Sequence, residues 1–322
     1  MEIKGILVSI VAPFDYHMAN GGEKLLGNAS SVKRTPEGKV YVSGQMQRHV
    51  LFQAIDRLNQ TDINKLENSY VSNGDGVSNK IEVDLRADMG GFMHPSQGDY
   101  SGRRTAPLSA TMAVALEESK IGRDLLVRLK LDTTEESRDQ ALATKEFSEN
   151  DMMLMNFYLD IANLSIHKAY SYNGSFHIST QYFKFATEDE RKRRVKLFLE
   201  ATRSMNDYSN QARNAVSGEP QKVLIVFDTK MSRKASRYFA AKTNNERDNL
   251  IAELNERDAK HWIGDDETQE SVLQAYKGAF TLLDDKETTL FDPSMEKGGE
   301  GKNKEEKIIT YENFLNPSPS NG

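Results

Sequence analysis

Apolar residues recur along this chain with two periods, one typical of strands and one typical of helices. Residues 3–14 (IKGILVSIVAPF) form a nearly continuous, β-branched apolar run, which predicts a strand buried on both faces. Residues 31–34 and 39–44 flank the sequence TPEG, which predicts a hairpin. In residues 44–59 (GQMQRHVLFQAIDRLN), apolar side chains recur every three or four positions, which predicts an amphipathic helix.

The rest of the pattern completes a βαββαβ order. Residues 187–205 (TEDERKRRVKLFLEATRSM) begin with a capping threonine and an acidic first turn, so they predict a second helix. Strand, helix, several strands, helix and strand is the order of a ferredoxin-like α+β unit, which is also the framework of RNA-recognition modules. Many functions share that fold, so the order alone leaves the function open. The other strand candidates are residues 107–116, 124–131, 152–164, 175–185 and 221–228, and further helices are predicted at residues 235–262 and 267–280.

Two segments depart from this pattern. Residues 61–105 lack periodicity and are rich in Gly, Asn and Ser, so they predict an inserted lobe outside the core. Residues 246–322 hold 18 Asp+Glu and 9 Lys+Arg, and they end in a polar stretch that predicts a disordered tail. The formal net charge of −6 therefore comes from this segment, and the slightly basic remainder is compatible with a nucleic-acid partner.

Composition narrows the class of protein. The 322 residues are 38% apolar and 28% charged, they contain no apolar run long enough to cross a bilayer, and they do not begin with a secretory signal pattern. The absence of cysteine excludes disulfides and thiolate metal sites, and the six histidines show no metal-ligand spacing. We therefore expect a cytoplasmic protein that needs no metal or other cofactor and does not bind membranes.

The glycine-rich stretch GGEKLLGNASSVKR, residues 21–34, contains the G-x-x-x-x-G spacing of a phosphate loop. The Lys and Ser/Thr that such a loop requires after its second glycine are replaced by Asn and Ala, which disfavours a mononucleotide enzyme. Two interpretations stay open: a loop whose glycines serve turns, or one side of a groove for a phosphodiester backbone. The candidates for that groove, which would converge on the hairpin, the glycine loop and the helix start, are Lys33, Arg34, Gln45 and Arg48.

Other charged clusters give weaker predictions. The basic residues 191–194 lie opposite the apolar stripe of their helix, so they predict either a solvated helix face or phosphate contacts. The acidic pairs 265–266 and 284–285 lie in charged segments, which predicts solvated faces rather than catalytic carboxylates.

Three motifs in residues 7–55 resemble a known family. LVSIVAPFDY, GGEKLLGNASSVKR and GKVYVSGQMQRHVLFQAI, in this order, resemble the N-terminal region of the DevR-type backbone subunit of CRISPR type I Cascade complexes, a branch of the RAMP superfamily. A weaker resemblance continues through RRTAPLSATMAVAL and NQARNAVSGEPQKVLIVFD, to residue 228.

The resemblance implies an α+β chain with a ferredoxin-like (RRM-like) palm and insertions. The palm would comprise residues 1–60 and 106–230, with an inserted finger lobe at 61–105 and a thumb at about 206–221. Residues 231–322 would form a C-terminal helical segment and an acidic tail. Carried over by position, the RNA-binding residues would be Ser31, Lys33, Arg34, Ser43, Gln45, Arg48, Arg103, Arg104, Asn210, Gln211, Arg213 and Asn214.

The resemblance also implies a non-catalytic function in antiviral defence. Copies of the chain would polymerise along the spacer of a crRNA, contact other Cascade subunits, and leave the bases free to pair with target DNA. RAMP relatives that cut RNA carry an aspartate after the first strand, whereas the only carboxylate among residues 17–34 is Glu23. The alternative is a RAMP-type, metal-independent ribonuclease that uses Asp15, His17 or Glu23 as acid–base groups.

Overall fold

The chain contains strands, a long helix, a run of further strands, a second long helix and another strand, in the order that the hydrophobic pattern predicts. The computed structural model describes residues 1–20, 23–24, 29–65, 70, 78–94, 102–130, 139–295 and 308–315. The strands are β1 (Glu2–Ile3), β2 (Gly5–His17), β3 (Glu23–Lys24), β4 (Ser30–Ser31), β5 (Tyr41–Val42), β6 (Phe92–His94), β7 (Gly102–Arg104), β8 (Leu108–Ala110), β9 (Ala113–Ala115), β10 (Ile121–Lys130), β11 (Asp139–Asp160), β12 (Ile166–Asn173), β13 (Phe176–Lys184), β14 (Lys222–Asp228), β15 (Lys260–Asp265) and β16 (Thr289–Leu290). The helices are α1 (Gly44–Thr61), α2 (Leu85–Gly90), α3 (Glu188–Ala201), α4 (Asn244–Glu256), α5 (Val272–Asp284) and α6 (Tyr311–Leu315), with a 3₁₀ helix at Lys234–Arg237.

β2 lies at the centre of the main sheet. It pairs antiparallel with β11 along its whole length and with β14 from Gly5 to Val11. β15 extends the sheet beyond β14, while β8 and β9 pair with β11 on its other side. Residues 5–12 are all buried, which confirms the prediction of a strand covered on both faces.

The main hydrophobic core lies between one face of this sheet and the helices α1, α3 and α5. Alternate residues of the central strands, such as Val8 and Ile225, point into it because successive side chains of a strand face opposite sides. The opposite face carries a smaller cluster in which Leu224 packs with Leu254 of α4. The mixed α/β fold predicted from the sequence is confirmed, and α1 and α3 lie where the apolar periodicity predicts them.

The C-terminal third differs from the sequence prediction of one long helix over residues 235–262. The chain forms the short 3₁₀ helix and α4, reverses at Asp258, whose φ is 56°, and returns as β15 along the edge of the main sheet. The ring of Trp262 on β15 lies 5.1 Å from that of Phe227 on β14. This strand forms because its neighbour β14 offers a free edge, which local propensity does not encode.

The segment predicted to lie outside the core contributes to it. In the described part of residues 61–105, Leu85 and Met89 of α2 are buried in the main hydrophobic cluster. Asp84 caps this short helix, since its Oδ1 accepts hydrogen bonds from the backbone N–H groups of Arg86 (2.9 Å) and Ala87 (3.1 Å). The lobe is therefore anchored to the core through α2.

The three arginines of the basic cluster in α3 are buried, so neither interpretation of residues 191–194 holds for them. Arg191 and Arg194 are fully buried, and Arg193 is nearly so. Arg191 donates to the backbone oxygens of Ile161 (2.8 Å) and Phe291 (2.9 Å). The others pair with carboxylates: Arg194 with Asp88 and Glu190, and Arg193 with Glu190 and Asp62.

The C-terminal helix α6 packs against the base of the β12–β13 hairpin. Tyr311 is buried against Phe92, with 5.3 Å between ring centroids, and the ring of Phe314 lies 4.8 Å from that of His167. Burial, followed by the charge of Arg104, lowers the pKa of His167 to about 4. Among the described residues, no helix has the length and apolar character that a membrane crossing requires.

Candidate nucleic-acid interface

The predicted hairpin is present and is attached to the end of β2. Arg34 and Val40 form an antiparallel bridge, and Gly38 closes the turn between them with a φ of 79°. The side-chain amide of Asn20, just after β2, donates to the backbone oxygens of Lys33 (3.0 Å) and Tyr41 (3.1 Å). One asparagine therefore holds both sides of the hairpin beside the central strand.

The cations of this hairpin face solvent. The side chain of Lys33 is exposed, while its backbone oxygen accepts the hydrogen bond from Asn20. Arg34 is also exposed, with its guanidinium 3.7 Å from the Glu146 carboxylate of β11. Ser31 is partly exposed on β4. Two cations are thus available to an anionic ligand at this edge.

The hairpin leads directly into the start of α1. Ser43 is the N-cap residue, and its Oγ accepts a hydrogen bond from the backbone N–H of Met46 (3.2 Å). Gln45 is exposed in the first turn. The first N–H groups of a helix have no partner within the helix, so this end favours an anion. The hairpin and the helix start are adjacent, as predicted, whereas residues 21–22 and 25–28 of the glycine loop lie outside the described residues.

Arg48, one turn further along α1, is directed toward α2. Its Nη2 donates to the backbone oxygen of Gly90 (2.8 Å), and the side chain is only partly exposed. Burial, followed by the nearby charge of Arg86, lowers the pKa of Arg48. Arg48 therefore lies at the junction between α1 and the inserted lobe.

A second group of predicted residues, in the loop between α3 and β14, packs against the same region. Ser209 Oγ donates to the backbone oxygen of Ala19 (2.7 Å), and Asn210 Nδ2 donates to that of Met18 (2.9 Å). The buried Tyr208 hydroxyl donates to Gln47 Oε1 of α1 (3.1 Å). The structure thus brings together residues that are more than 150 positions apart in sequence.

The four predicted residues of this loop have different environments. Gln211 holds the loop together, because its amide bonds to the backbone of Asn206 and Val216. Asn210 has a φ of 63°, and its side-chain amide donates to the backbone oxygen of Met18, just after β2. Arg213 is exposed and Asn214 is partly exposed, so these two residues face solvent.

Of the two arginines predicted in β7, only Arg103 is exposed. Arg104 is buried, and its guanidinium donates to Asp88 Oδ1 (2.5 Å), Ile166 O (2.8 Å) and Asn163 O (2.6 Å). These inward hydrogen bonds give Arg104 a structural role and leave it turned away from any ligand at the surface. Neighbouring side chains of a strand face opposite sides, so Arg103 and Arg104 point in opposite directions. The sequence alone does not show which of the two is buried.

His17, one of the three residues of the ribonuclease alternative, lies inside the protein and not at an open surface. His17 is fully buried, with Nε2 at 2.7 Å from Asp151 Oδ2 and with Nδ1 accepting from the Ala19 N–H (3.4 Å). Ser119 Oγ donates to the other oxygen of Asp151 (2.5 Å). Burial raises the pKa of Asp151, but hydrogen bonds from His17, Ser119 and Ser148 outweigh it and hold that pKa below its usual value. Asp15 is exposed, while the Glu23 side chain lies outside the described residues.

Several residues that build this region were not among the sequence candidates. Asn20 and Tyr208 are in place only because β2, the hairpin and the loop after α3 meet, and sequence patterns carry little information about such contacts. Among the described residues, no group of three or more His, Asp or Glu side chains could hold a metal ion.

The chain is similar to known CRISPR-associated proteins. The family described as "CRISPR-associated negative auto-regulator DevR/Csa2" matches residues 9–217. One chain of a solved "CRISPR RNA-guided surveillance complex" is 13% identical, with a TM-score of 0.50 over 82% of this chain and 90% of that one. A chain of a "CRISPR RNA-guided surveillance complex, pre-nicking" is 10% identical, with a TM-score of 0.48 over 78% of this chain and 87% of that one. The first of these likenesses concerns the fold alone.

None of the curated proteins is similar enough to count as a match. The family match, however, spans more than half of the chain and includes β2, the hairpin, α1 and the loop after α3. The chain therefore belongs to the DevR/Csa2 family of CRISPR-associated proteins.

Proposed function

We propose that this chain is a non-catalytic, guide-RNA-binding backbone subunit of a CRISPR type I surveillance complex. Membership of the DevR/Csa2 family supports the CRISPR context, and the similar fold of a chain from an RNA-guided surveillance complex is consistent with it. Copies of the subunit polymerise along the crRNA spacer, contact other Cascade subunits and present the bases to target DNA, in the cytoplasm.

One observation carries the RNA-binding part of this proposal. Exposed cations of the hairpin, the N-terminal end of α1 and the solvent-facing Arg213 of the loop after α3 surround the end of β2. This arrangement provides separate positive charges and backbone N–H groups rather than one closed pocket. Such a surface suits the phosphates of an extended strand, which are contacted independently of base identity.

The palm, fingers and thumb are part of the same proposal. The strand order β14, β2, β11 and β8/β9, all antiparallel, with α1 and α3 on one face, is that expected of a ferredoxin-like palm. The lobe anchored by α2 corresponds to the fingers, and the loop after α3 corresponds to the thumb. Ser209 and Asn210 of this loop donate hydrogen bonds to the backbone of residues 18 and 19, which follow β2. These bonds keep the proposed thumb beside the hairpin.

The absence of catalysis is also proposed. Both nitrogens of His17 are engaged inside the protein, so neither is available to a phosphodiester at the surface. Asp15 remains as an exposed carboxylate on β2, and cleavage of labelled RNA that is lost on Asp15→Ala would favour the ribonuclease instead.

The test is whether the purified protein carries RNA of discrete length. We expect guide RNA to co-purify with the wild type and to be lost from a Lys33→Ala, Arg34→Ala double variant. The matched control is Lys234→Ala with Arg237→Ala, because these cations lie with the 3₁₀ helix on the opposite face of the sheet. Full retention of RNA by the hairpin variant, or equal loss in the control, would contradict the assignment of this surface.

A further inference from the structure

Two arginines from different parts of the chain meet around one aromatic ring. Arg48 lies on α1, and Phe52 follows it by one turn on the same face. Arg86 of α2 has its guanidinium carbon 5.1 Å from the centre of the Phe52 ring. This is a cation–π contact, and it brings the lobe arginine next to the helix arginine.

Gly90 makes this close approach possible. A Cβ at position 90 would lie 3.3 Å from Phe52 Cζ and 3.4 Å from Arg48 Nη2, closer than side-chain carbons normally pack. The backbone oxygen of Gly90 also accepts the hydrogen bond from Arg48. The end of α2 is therefore fitted to both Arg48 and Phe52.

Hydrogen bonding within this pair is incomplete. The Nε atoms of Arg48 and Arg86 are both buried and have no acceptor among the described residues. Buried donors without acceptors are uncommon and cost free energy, so each one calls for an explanation, and a bound ion is one such explanation. Each side chain is nevertheless partly exposed, so an anion can reach the pair from solvent.

The charges of the pair are only partly compensated. Burial and then the charge of Arg86 lower the pKa of Arg48. Burial lowers the pKa of Arg86, while the charges of Asp84 and Asp56 oppose this effect. The Oδ1 atom of Asp84 accepts hydrogen bonds from the first backbone N–H groups of α2. Two adjacent, partly exposed guanidinium groups are suited to a phosphate group.

We propose that Arg48 and Arg86 form a phosphate-binding site at the junction of α1 and α2, and that it takes a phosphodiester of bound RNA. The identity of that ligand rests on the proposed function. Arg48 is a residue that the sequence already indicates, whereas Arg86 is a new binding residue contributed by the inserted lobe. The site would fix the register of the RNA where it passes from the palm to the lobe.

Salt dependence of RNA binding tests the site directly. We would titrate labelled single-stranded RNA into the full-length, guide-free wild type and into Arg86→Gln at several salt concentrations. Removing one phosphate contact should weaken binding several-fold at low salt and reduce the slope of log K against log[salt] by about 0.7. Arg203→Gln is the matched control, because Arg203 also lies over an aromatic ring, 5.0 Å from that of Tyr276, but pairs with Glu200.

Inorganic phosphate gives a second measurement that is independent of RNA. Phosphate should raise the melting temperature of the wild type and of Arg203→Gln more than that of Arg86→Gln at equal ionic strength. Arg86→Lys keeps the charge beside Phe52, so it should restore part of both effects and would show that loss in Arg86→Gln is not a folding defect.

The outcomes separate the site from the function. If the wild type binds no RNA but phosphate stabilises it through Arg86, the site stands and the proposed function fails. If the wild type binds RNA while Arg86→Gln keeps the same affinity, salt slope and phosphate response, the function stands and the site is overturned. A lower melting temperature with unchanged ligand responses would also overturn it, by showing a purely structural role.

Discussion

Asp88 and Arg194 form an ion pair in which neither side chain is exposed to solvent, with 2.7 Å between Oδ2 and Nη1. Asp88 lies in α2 of the inserted lobe and Arg194 lies in α3 of the main domain, 106 positions later. Arg104 completes the arrangement by donating to the other carboxylate oxygen at 2.5 Å, and Ser165 donates to it as well. This network attaches the lobe to the core of the main domain.

Removing the charge of Asp88 should strongly destabilise the protein. Asp88→Asn would leave the buried Arg104 without its carboxylate partner and Arg194 with Glu190 alone, and breaking a buried pair in this way typically costs about 3–5 kcal/mol. The free energy of unfolding in urea would measure this effect. Glu200→Gln is the control, because its partner Arg203 is near the surface and such pairs contribute about 1 kcal/mol or less. Similar losses in the two variants would contradict the role of burial.

Stability should fall as the pH decreases from about 6.5 to about 4, partly because of His167. Burial lowers the pKa of His167 to about 4, so in this range the unfolded chain binds a proton that the folded chain does not. The folded state therefore loses stability as the pH falls, by up to about 3 kcal/mol at the lower end.

A histidine substitution isolates this contribution. His167→Phe should flatten the pH dependence between 6.5 and 4, measured as melting temperature or urea midpoint. It should also keep the packing against Phe314, whose ring lies 4.8 Å away. The control His49→Gln, at an exposed position of α1, should keep the wild-type slope. An unchanged slope in His167→Phe would assign the pH dependence to other groups.

The loop after α3 should depend on one hydroxyl group. Tyr208→Phe removes the hydrogen bond to Gln47 and leaves a buried amide oxygen unpaired, which costs about 1–3 kcal/mol. This contact holds the loop next to the start of α1. We therefore expect the RNA affinity of Tyr208→Phe to fall under conditions where the variant is still fully folded. Tyr238→Phe, at a tyrosine partly buried on the opposite face of the sheet, is the control. Wild-type RNA affinity in Tyr208→Phe would separate the loop from the binding surface.

Gly91 should not tolerate a side chain. Its φ is 68°, and an added Cβ would lie 2.5 Å from the backbone oxygen of Arg104, so Gly91→Ala forces the backbone to move. We expect a loss of at least about 2 kcal/mol, from strain and from disturbance of the buried network. Gly174→Ala has a similar φ of 59° in open space, so it should cost about 1 kcal/mol from the backbone alone. If urea unfolding gives the same loss of free energy for Gly91→Ala and Gly174→Ala, steric contact at position 91 is unimportant.

Local features of the fold were predictable from sequence because short-range physics decides them. The run of apolar β-branched residues in β2, the turn at Gly38 and the apolar stripe of α1 each depend on a few neighbouring residues. The same holds for the cations Lys33 and Arg34, which lie on a short hairpin that cannot bury them. These features also carry the resemblance to the DevR/Csa2 family.

The sequence could not decide which charged residues are buried. Arg104, Arg191 and Arg194 belong to basic clusters that look like exposed faces, yet all three are buried. A buried arginine requires acceptors from elsewhere, and here they come from α2, from the chain after β11 and from the chain after β16. Such pairing exists only after the chain has folded.

The sequence by itself determined β2, β14, α1, α3 and the exposed cations of the hairpin, because hydrophobic periodicity and turn residues act over a few positions. It did not determine β15, which depends on the edge of β14. Only the tertiary structure decided that Asn20 holds the hairpin, that Tyr208 contacts α1 and that Arg86 joins Arg48. Each of these contacts joins distant segments, and their geometry follows from how the sheet and helices pack rather than from any local pattern.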